Sequence, residues 1–312
     1  EATGDEDAPV VEERGGVLPA AGSEAGREAP PLRPGVVALR GGQGGATERL
    51  AAHHQHLAAG QERSDQVLSI YDVQDHLVIA QAAIDTKENE IVAAPRVLEQ
   101  ISVAGKVITG DALHTQRGIS ATIVERGGDY IWPVKTNQPR LHEDIQRLFA
   151  PDNPKPGFGK ISTDFQSAVK VNYGHGRLEK RTIQTSAMLN DYLDWPGLGQ
   201  VYRLERKFDW NRQGVVYKTS CEIEYAITSA PRSQASPMTV LNNRHQHWLV
   251  ETSLHYRRDV TFHEDATRMS HPHATRNLTT VHNTILSLFA RLGCRNAAST
   301  RRRLGADLRL AF

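Results

Sequence analysis

Two carboxylates in separate parts of this 312-residue chain carry the chemistry that its sequence suggests. Asp111 directly follows the apolar run Val107-Ile108-Thr109 and Gly110, so it is expected where a buried strand leaves its sheet. That edge is where α/β proteins assemble ligand sites. Glu251 lies in the stretch WLVETSLHYRRDVTFHED (248–265). If 242–258 is helical, Arg244, His247, Glu251, His255 and Arg258 fall on one face. One acid among cations on a helix, with a second acid on a strand end, suits metal-dependent work on phosphodiesters: the acids hold the ion and the cations meet phosphate. Each feature has a plainer reading. Asp111 could cap a helix beginning at Ala112, and the Glu251 face could be a solvated surface of charge pairs.

The elements needed to position these residues begin at Val67. VLSIYDV and LVIAQAAID (77–85) read as strands around the turn Gln74-Asp75-His76. IVAAPRVLEQI (91–101) has helical apolar spacing, VIT is a short buried strand, and 115–126 reads as a helix stopped by Gly127-Gly128. DYIWPVK is a further strand and LHEDIQRLF (141–149) a helix. This alternation predicts an α/β core around one sheet. After Pro151 the texture changes to β-branched and aromatic runs such as QVYRLERKF and VVYKTSCEIEYAITS, which predict antiparallel strands. Helical spacing returns near Pro237. Leu278, Val281, Ile285, Leu288, Phe289 and Leu292 recur at three and four, and Gly293 follows as a stop signal.

Charge and composition narrow the function classes. The net charge of +1 does not mark a nucleic-acid binder by itself. The distribution says more: Arg291, Arg295, Arg301, Arg302, Arg303 and Arg309 face one acid, Asp307, near the end of the chain. No apolar run approaches a membrane span, and no secretory signal is recognisable. Cys221 and Cys294 form no CxxC pair, so neither a disulfide framework nor a zinc site is indicated, and the cytoplasm is expected.

The first sixty residues are compositionally separate. They contain no Phe, Tyr, Trp, Met, Ile, Lys or Asn and are rich in Gly, Ala, Arg and Pro. Such a segment is expected to be disordered. The favoured residues are those with GC-rich codons, as an out-of-frame reading of GC-rich DNA would give. The expected organisation is therefore 1–63 as disordered or out-of-frame low-complexity chain, 64–150 as the first part of a core, 151–236 as a β-rich insertion, and 237–312 as the closing helices.

Several words, in order, resemble the H-repeat-associated insertion-sequence transposases, a branch of the DDE transposases with an RNase H-like core. They are IDTKENEI (84–91), GDALHTQ (110–116), GGDYIWPVKTNQPRLHEDI (127–145), HGRLEKR (175–181), YAITS (225–229) and WLVETSLHYRRDVTFHEDATR (248–268). The resemblance spans about residues 64–310. It implies an RNase H-like mixed sheet flanked by helices, with the β-rich insertion before the last catalytic helix. It also implies Asp111 and Glu251 as catalytic, metal-binding acids, with Glu264, Asp265 and Arg268 completing the last motif. The implied cofactor is Mg²⁺ or Mn²⁺ in a two-ion site, and the implied reaction is strand cleavage and transfer at element ends. The implied partners are DNA and a second copy on DNA, with no membrane. Lys135, Asn137, Gln138, Arg177, His247, Arg258 and the C-terminal arginines are the candidate phosphate contacts.

One departure matters. The first catalytic Asp is expected in an Asp-Gly-Lys-like word on the strand before VLSIYDV. That region reads VVALRGGQGG, with Arg40-Gly41 where Asp-Gly is expected and no Asp between residues 8 and 64. The family's helical N-terminal domain is not recognisable either. The expected function is thus a transposase core defective in this copy. The alternatives are a non-catalytic DNA-binding remnant and an unrelated RNase H-like nuclease.

Overall fold

A computed structural model of the protein describes residues 36–42, 66–84, 89–150, 164–174, 176–213, 215–250, 253–254, 256–264, 272–294 and 296–306. Two compact units result, one formed by 35–130 with 243–312 and the other by 131–242.

The first unit is mixed α/β. Its strands run in the order β3 (Leu77–Ile84), β2 (Gln66–Asp72), β1 (Val36–Gly42), β4 (Val107–Thr109). β1, β2 and β3 are successive antiparallel neighbours, whereas β1 and β4 are parallel, with Val37 beside Ile108 and Ala38 beside Thr109. This is the mixed sheet that the RNase H-like resemblance implied. Val67, Leu68, Ser69, Ile70 and Tyr71 of β2 are all buried. Successive side chains of a strand point to opposite faces, so both faces are covered. Helices α1 (Glu90–Leu98) and α5 (Pro272–Arg291) both pack on β2 and β3. Asn89 starts α1: its side chain accepts the amide of Val92, satisfying one of the donors a helix start leaves open. Helix α2 (Arg117–Glu125) buries Ile119, Ser120 and Ile123. Gly127 (φ +74°) and Gly128 then turn the chain. A Cβ on Gly128 would stand 2.5 Å from Val103 Cγ1 and 2.7 Å from the Val103 carbonyl, so only glycine fits.

β1 corrects the expectation that residues 1–63 stay outside the core. Val37 and Ala38 are fully buried, and hydrogen-bonded neighbours flank this strand on both sides. Four consecutive apolar residues, Val36 to Leu39, are enough for a short strand once two partners supply the ladder. The rest of 1–63 lies outside the described residues.

The second unit carries strands in the order β5 (Asp129–Val134), β9 (Val215–Thr228), β8 (Gln200–Arg212), β7 (Arg177–Ser186), β6 (Gln166–Gly174), each antiparallel to its neighbour. β6 to β9 lie within residues 151–236, and α3 (Pro139–Leu148), which precedes them in the chain, packs on β9. Helix α4 (Pro237–Val250) follows it, and α6 (Ala297–Ala306) ends the described chain.

Candidate active site at the end of strand β4

Asp111 stands two residues beyond β4, at the start of a single 3-10 turn, Ala112–His114. Its own backbone is extended (φ −75°, ψ 170°) and its side chain makes no capping bond to the turn, which removes the capping explanation for an acid here. The carboxylate is about half exposed (47%), and its Oδ1 lies 3.5 Å from Nε2 of His247.

His247 comes from the last turn of α4 and is buried, with 3% of its surface exposed. Its other ring nitrogen, Nδ1, is 3.0 Å from the hydroxyl of Thr109, which is fully buried on β4. The hydroxyl also lies 3.5 Å from the carbonyl of Val37 on β1. One imidazole thus connects the end of α4, the strand β4 and the acid at its tip. The expectation of His247 as a phosphate contact is corrected here: the ring is inside the fold, facing Thr109 and Asp111.

Arg258 is corrected in the same way. It lies in a π-helical turn, Arg257–Thr261, and is 6% exposed. Its guanidinium grips Glu264 with both Nε, at 2.9 Å, and a terminal nitrogen. Glu264 also accepts from the Thr279 hydroxyl at 2.6 Å and lies 2.8 Å from Nδ1 of His282. Burial would raise the Glu264 carboxyl, but the bonds and charge of Arg258, with Thr279 and His282, outweigh it and hold the group at about 2. The His282 ring stacks on Phe262, with 4.5 Å between centroids. Arg301 lies 5.8 Å from the Phe262 ring centre and donates to the Thr261 carbonyl. This network fastens the segment after α4 to helix α5. Val250 and Leu254 are buried in one apolar cluster with Ala38, Tyr71, Leu286 and Phe289, which anchors the same segment from the core side. Glu251 itself, like His255, Asp265, Arg268, Arg295 and Arg309, lies outside the described residues.

The remaining sequence candidates belong to the unit 131–242. Lys135 and Asn137 are exposed in the turn between β5 and α3, and Gln138, half-buried, occupies the position before α3 without a side-chain cap bond. Lys135 lines a cavity of about 230 Å³ with His142, Arg206, Glu222 and Glu224, where Arg206 is paired with Glu222 at 2.7 Å. Arg177 lays its guanidinium 5.0 Å from the centre of the Phe208 ring. In the other unit, Arg302 and Arg303 are exposed on α6.

Sequence reasoning missed Thr109 and the Glu264–Arg258–His282 group. The only signal for Thr109 was a polar side chain inside an apolar strand. For Glu264 it was membership of the last motif, without a role.

A piggyBac transposase synaptic complex with hairpin DNA is similar in structure, with a TM-score of 0.43 and 11% identity over 82% of this chain and 47% of that one. The Escherichia coli (strain K12) protein YbfL is 31% identical over 64% of this chain and 51% of its own length. The H repeat-associated candidate transposase YhhI of the same organism is 31% identical over 64% of this chain and 51% of its own. The chain spans about half the length of the curated relatives it matches. The transposase DDE domain family matches residues 49–288, well over half of the chain and inclusive of β2 to β9, Asp111 and His247, and this protein belongs to that family.

Proposed function

We propose that this chain is the catalytic core of an insertion-sequence transposase acting on DNA phosphodiester bonds with divalent metal ions, and that this copy lacks the first of the three carboxylates such chemistry uses. The observation that carries the second half is the pairing of β1 with β4. Ala38 stands beside Thr109 in a parallel ladder, and in sequence the two segments run on as Leu39-Arg40 and Gly110-Asp111. Two neighbouring parallel strands deliver their end residues to one edge of the sheet. At that edge β4 offers a carboxylate and β1 offers Arg40 and Gly41.

Mg²⁺ and Mn²⁺ prefer hard oxygen donors. The half-exposed carboxylate of Asp111 fits that preference, while His247 has both ring nitrogens turned to protein groups. Among the described residues, no group of three or more His, Cys, Asp or Glu could hold a metal ion. Asp111 and Glu251, the acids that the family resemblance marks, are proposed as metal ligands. Bound ions would activate the attacking water or 3′ hydroxyl and stabilise the leaving oxygen. The chain's own part is to offer Asp111 from a rigid strand end and to hold phosphates with Lys135, Asn137, Gln138, Arg177, Arg302 and Arg303, with two copies on the DNA.

The test is a cleavage assay on linear DNA carrying the ends of the encoding element, with Mg²⁺ or Mn²⁺, beside a binding assay. Wild-type protein is expected to bind and to cut little. Arg40→Asp should gain cutting, and Asp111→Asn or Glu251→Gln added to it should remove the gain. Robust wild-type cleavage that disappears in Glu251→Gln would show that another carboxylate completes the site. Cleavage that Asp111→Asn leaves untouched would remove Asp111 from the mechanism. The reading of a DNA-binding remnant is favoured instead if Arg40→Asp binds and still does not cut.

A further inference from the structure

The acid at the tip of β4 has a buried attachment that the proposed metal chemistry does not use. Thr109, His247 and Asp111 form a line from the sheet interior to the surface: hydroxyl, imidazole, carboxylate, at 3.0 Å and 3.5 Å. We infer that His247, braced by Thr109, is a positioning residue that fixes the carboxylate of Asp111 for a cation. This rests on the reading of Asp111 as a metal ligand.

The protons decide how the line works. The Thr109 hydroxyl has one hydrogen and two neighbours, Nδ1 of His247 at 3.0 Å and the Val37 carbonyl at 3.5 Å. A carbonyl can only accept, so the hydroxyl donates either to Val37 or to Nδ1, and in both cases the ring keeps Nε2 turned toward Oδ1 of Asp111. A proton on Nε2 is favoured there, since a bare Nε2 would set its lone pair against the carboxylate. With Nε2–H directed at Oδ1, the carboxylate is fixed in the direction from which it meets an ion. Ligating carboxylates in metal sites are oriented by hydrogen bonds of this kind.

A histidine that merely fills the core would behave differently from one that aims a carboxylate, and two substitutions separate the roles. His247→Asn keeps an acceptor for Thr109 but stops short of Asp111. His247→Gln gives up the Nδ1 position but carries an amide N–H out to Asp111. The experiment titrates the purified full chain with Mn²⁺ alone, followed by electron paramagnetic resonance, with thermal melting recorded beside it. Asp111→Asn is expected to abolish the site. His247→Asn should weaken Mn²⁺ binding about tenfold or more, and His247→Gln should recover most of that loss. Equal affinity in wild type, His247→Asn and His247→Gln, with Asp111→Asn still deficient, overturns the positioning role and leaves Asp111 a ligand. If Asp111→Asn binds as the wild type does, or the wild type binds no Mn²⁺, the metal reading of Asp111 fails instead. Imidazole ¹⁵N spectra then decide the remaining claim. Protonation of His247 on Nε2, with a signal that moves in Asp111→Asn, supports the line from Thr109 to Asp111. A ring without a proton on Nε2 refutes it.

Discussion

Glu264→Gln tests the buried network behind α4, because the structure sets both the size and the pH range of its effect. The Arg258 and Glu264 side chains are 7% and 8% exposed, so solvent does little to screen them. Burial acts to raise the Glu264 carboxyl from its ordinary 4.5, but Arg258, Thr279 and His282 overcome this and bring it to about 2. A carboxyl depressed that far contributes about 3 kcal/mol of stability near neutral pH. The contribution is complete above the unfolded-state value near 4.5, because the group is then ionised whether the chain is folded or not. As the pH falls the unfolded chain takes up its proton first, and the stabilisation drains away between about 4.5 and 2, with about 2 kcal/mol gone by pH 3. Glu264→Gln removes this contribution and also leaves Arg258 buried without its counter-charge, a loss of about 3–5 kcal/mol when one partner of a buried pair is deleted. The assay is urea unfolding of both proteins at pH 7, 5, 4 and 3, followed by circular dichroism. The variant should be less stable by about 3 kcal/mol or more at pH 7, and the gap should shrink by about 2 kcal/mol by pH 3. A gap below about 1 kcal/mol at pH 7, the scale of an exposed pair, or a gap that does not change with pH, refutes the reasoning.

Gly128→Ala should destabilise the fold by about 1–3 kcal/mol in denaturant unfolding, since the new methyl meets Val103 Cγ1 and the Val103 carbonyl, and backbone cannot swing aside. Leu68→Ala, at a fully buried site in the middle strand of three, should lose about 2–5 kcal/mol in the same assay. Binding to DNA fragments should weaken steeply with salt, and Lys135→Ala or the pair Arg302→Ala and Arg303→Ala should each flatten the slope by roughly 0.9 for every phosphate no longer neutralised. Unchanged slopes in all of these variants would remove those residues from the DNA interface.

The elements that the sequence revealed are those whose own residues repeat the required period. β2 and β3 are short, largely apolar runs around a polar turn, and α3 places Leu141, Ile145 and Leu148 on one stripe after Pro139, so local pattern and final structure agree. β1 could be placed only through the family resemblance, which expects a strand before VLSIYDV, and not from its own pattern. VVALRGG ends in two glycines, lies in chain poor in large apolar groups, and becomes a strand because β2 and β4 both offer it hydrogen bonds. That stabilisation is non-local and leaves no periodic trace.

The candidate site divides along the same line. Asp111 was legible because an acid just past an apolar run marks a strand end, and strand ends in α/β sheets carry ligands. Placing His247 and Arg258 toward phosphate relied on a regular 3.6-residue period carried through the end of α4. Arg258 lies in a π-helical turn, Arg257–Thr261, outside that regular period, and pairs with the buried Glu264. For His247 the helical face was a sound reading, but the groups that meet that face depend on which strand α4 packs against. Thr109 and Asp111 stand more than a hundred residues away along the chain, and only the folded sheet brings them to the imidazole. A basic residue beside an acid motif therefore has two destinies, solvent or acid. Burial separates them: among the described residues His247 and Arg258 are almost fully enclosed and face carboxylates, whereas Lys135, Arg302 and Arg303 are exposed.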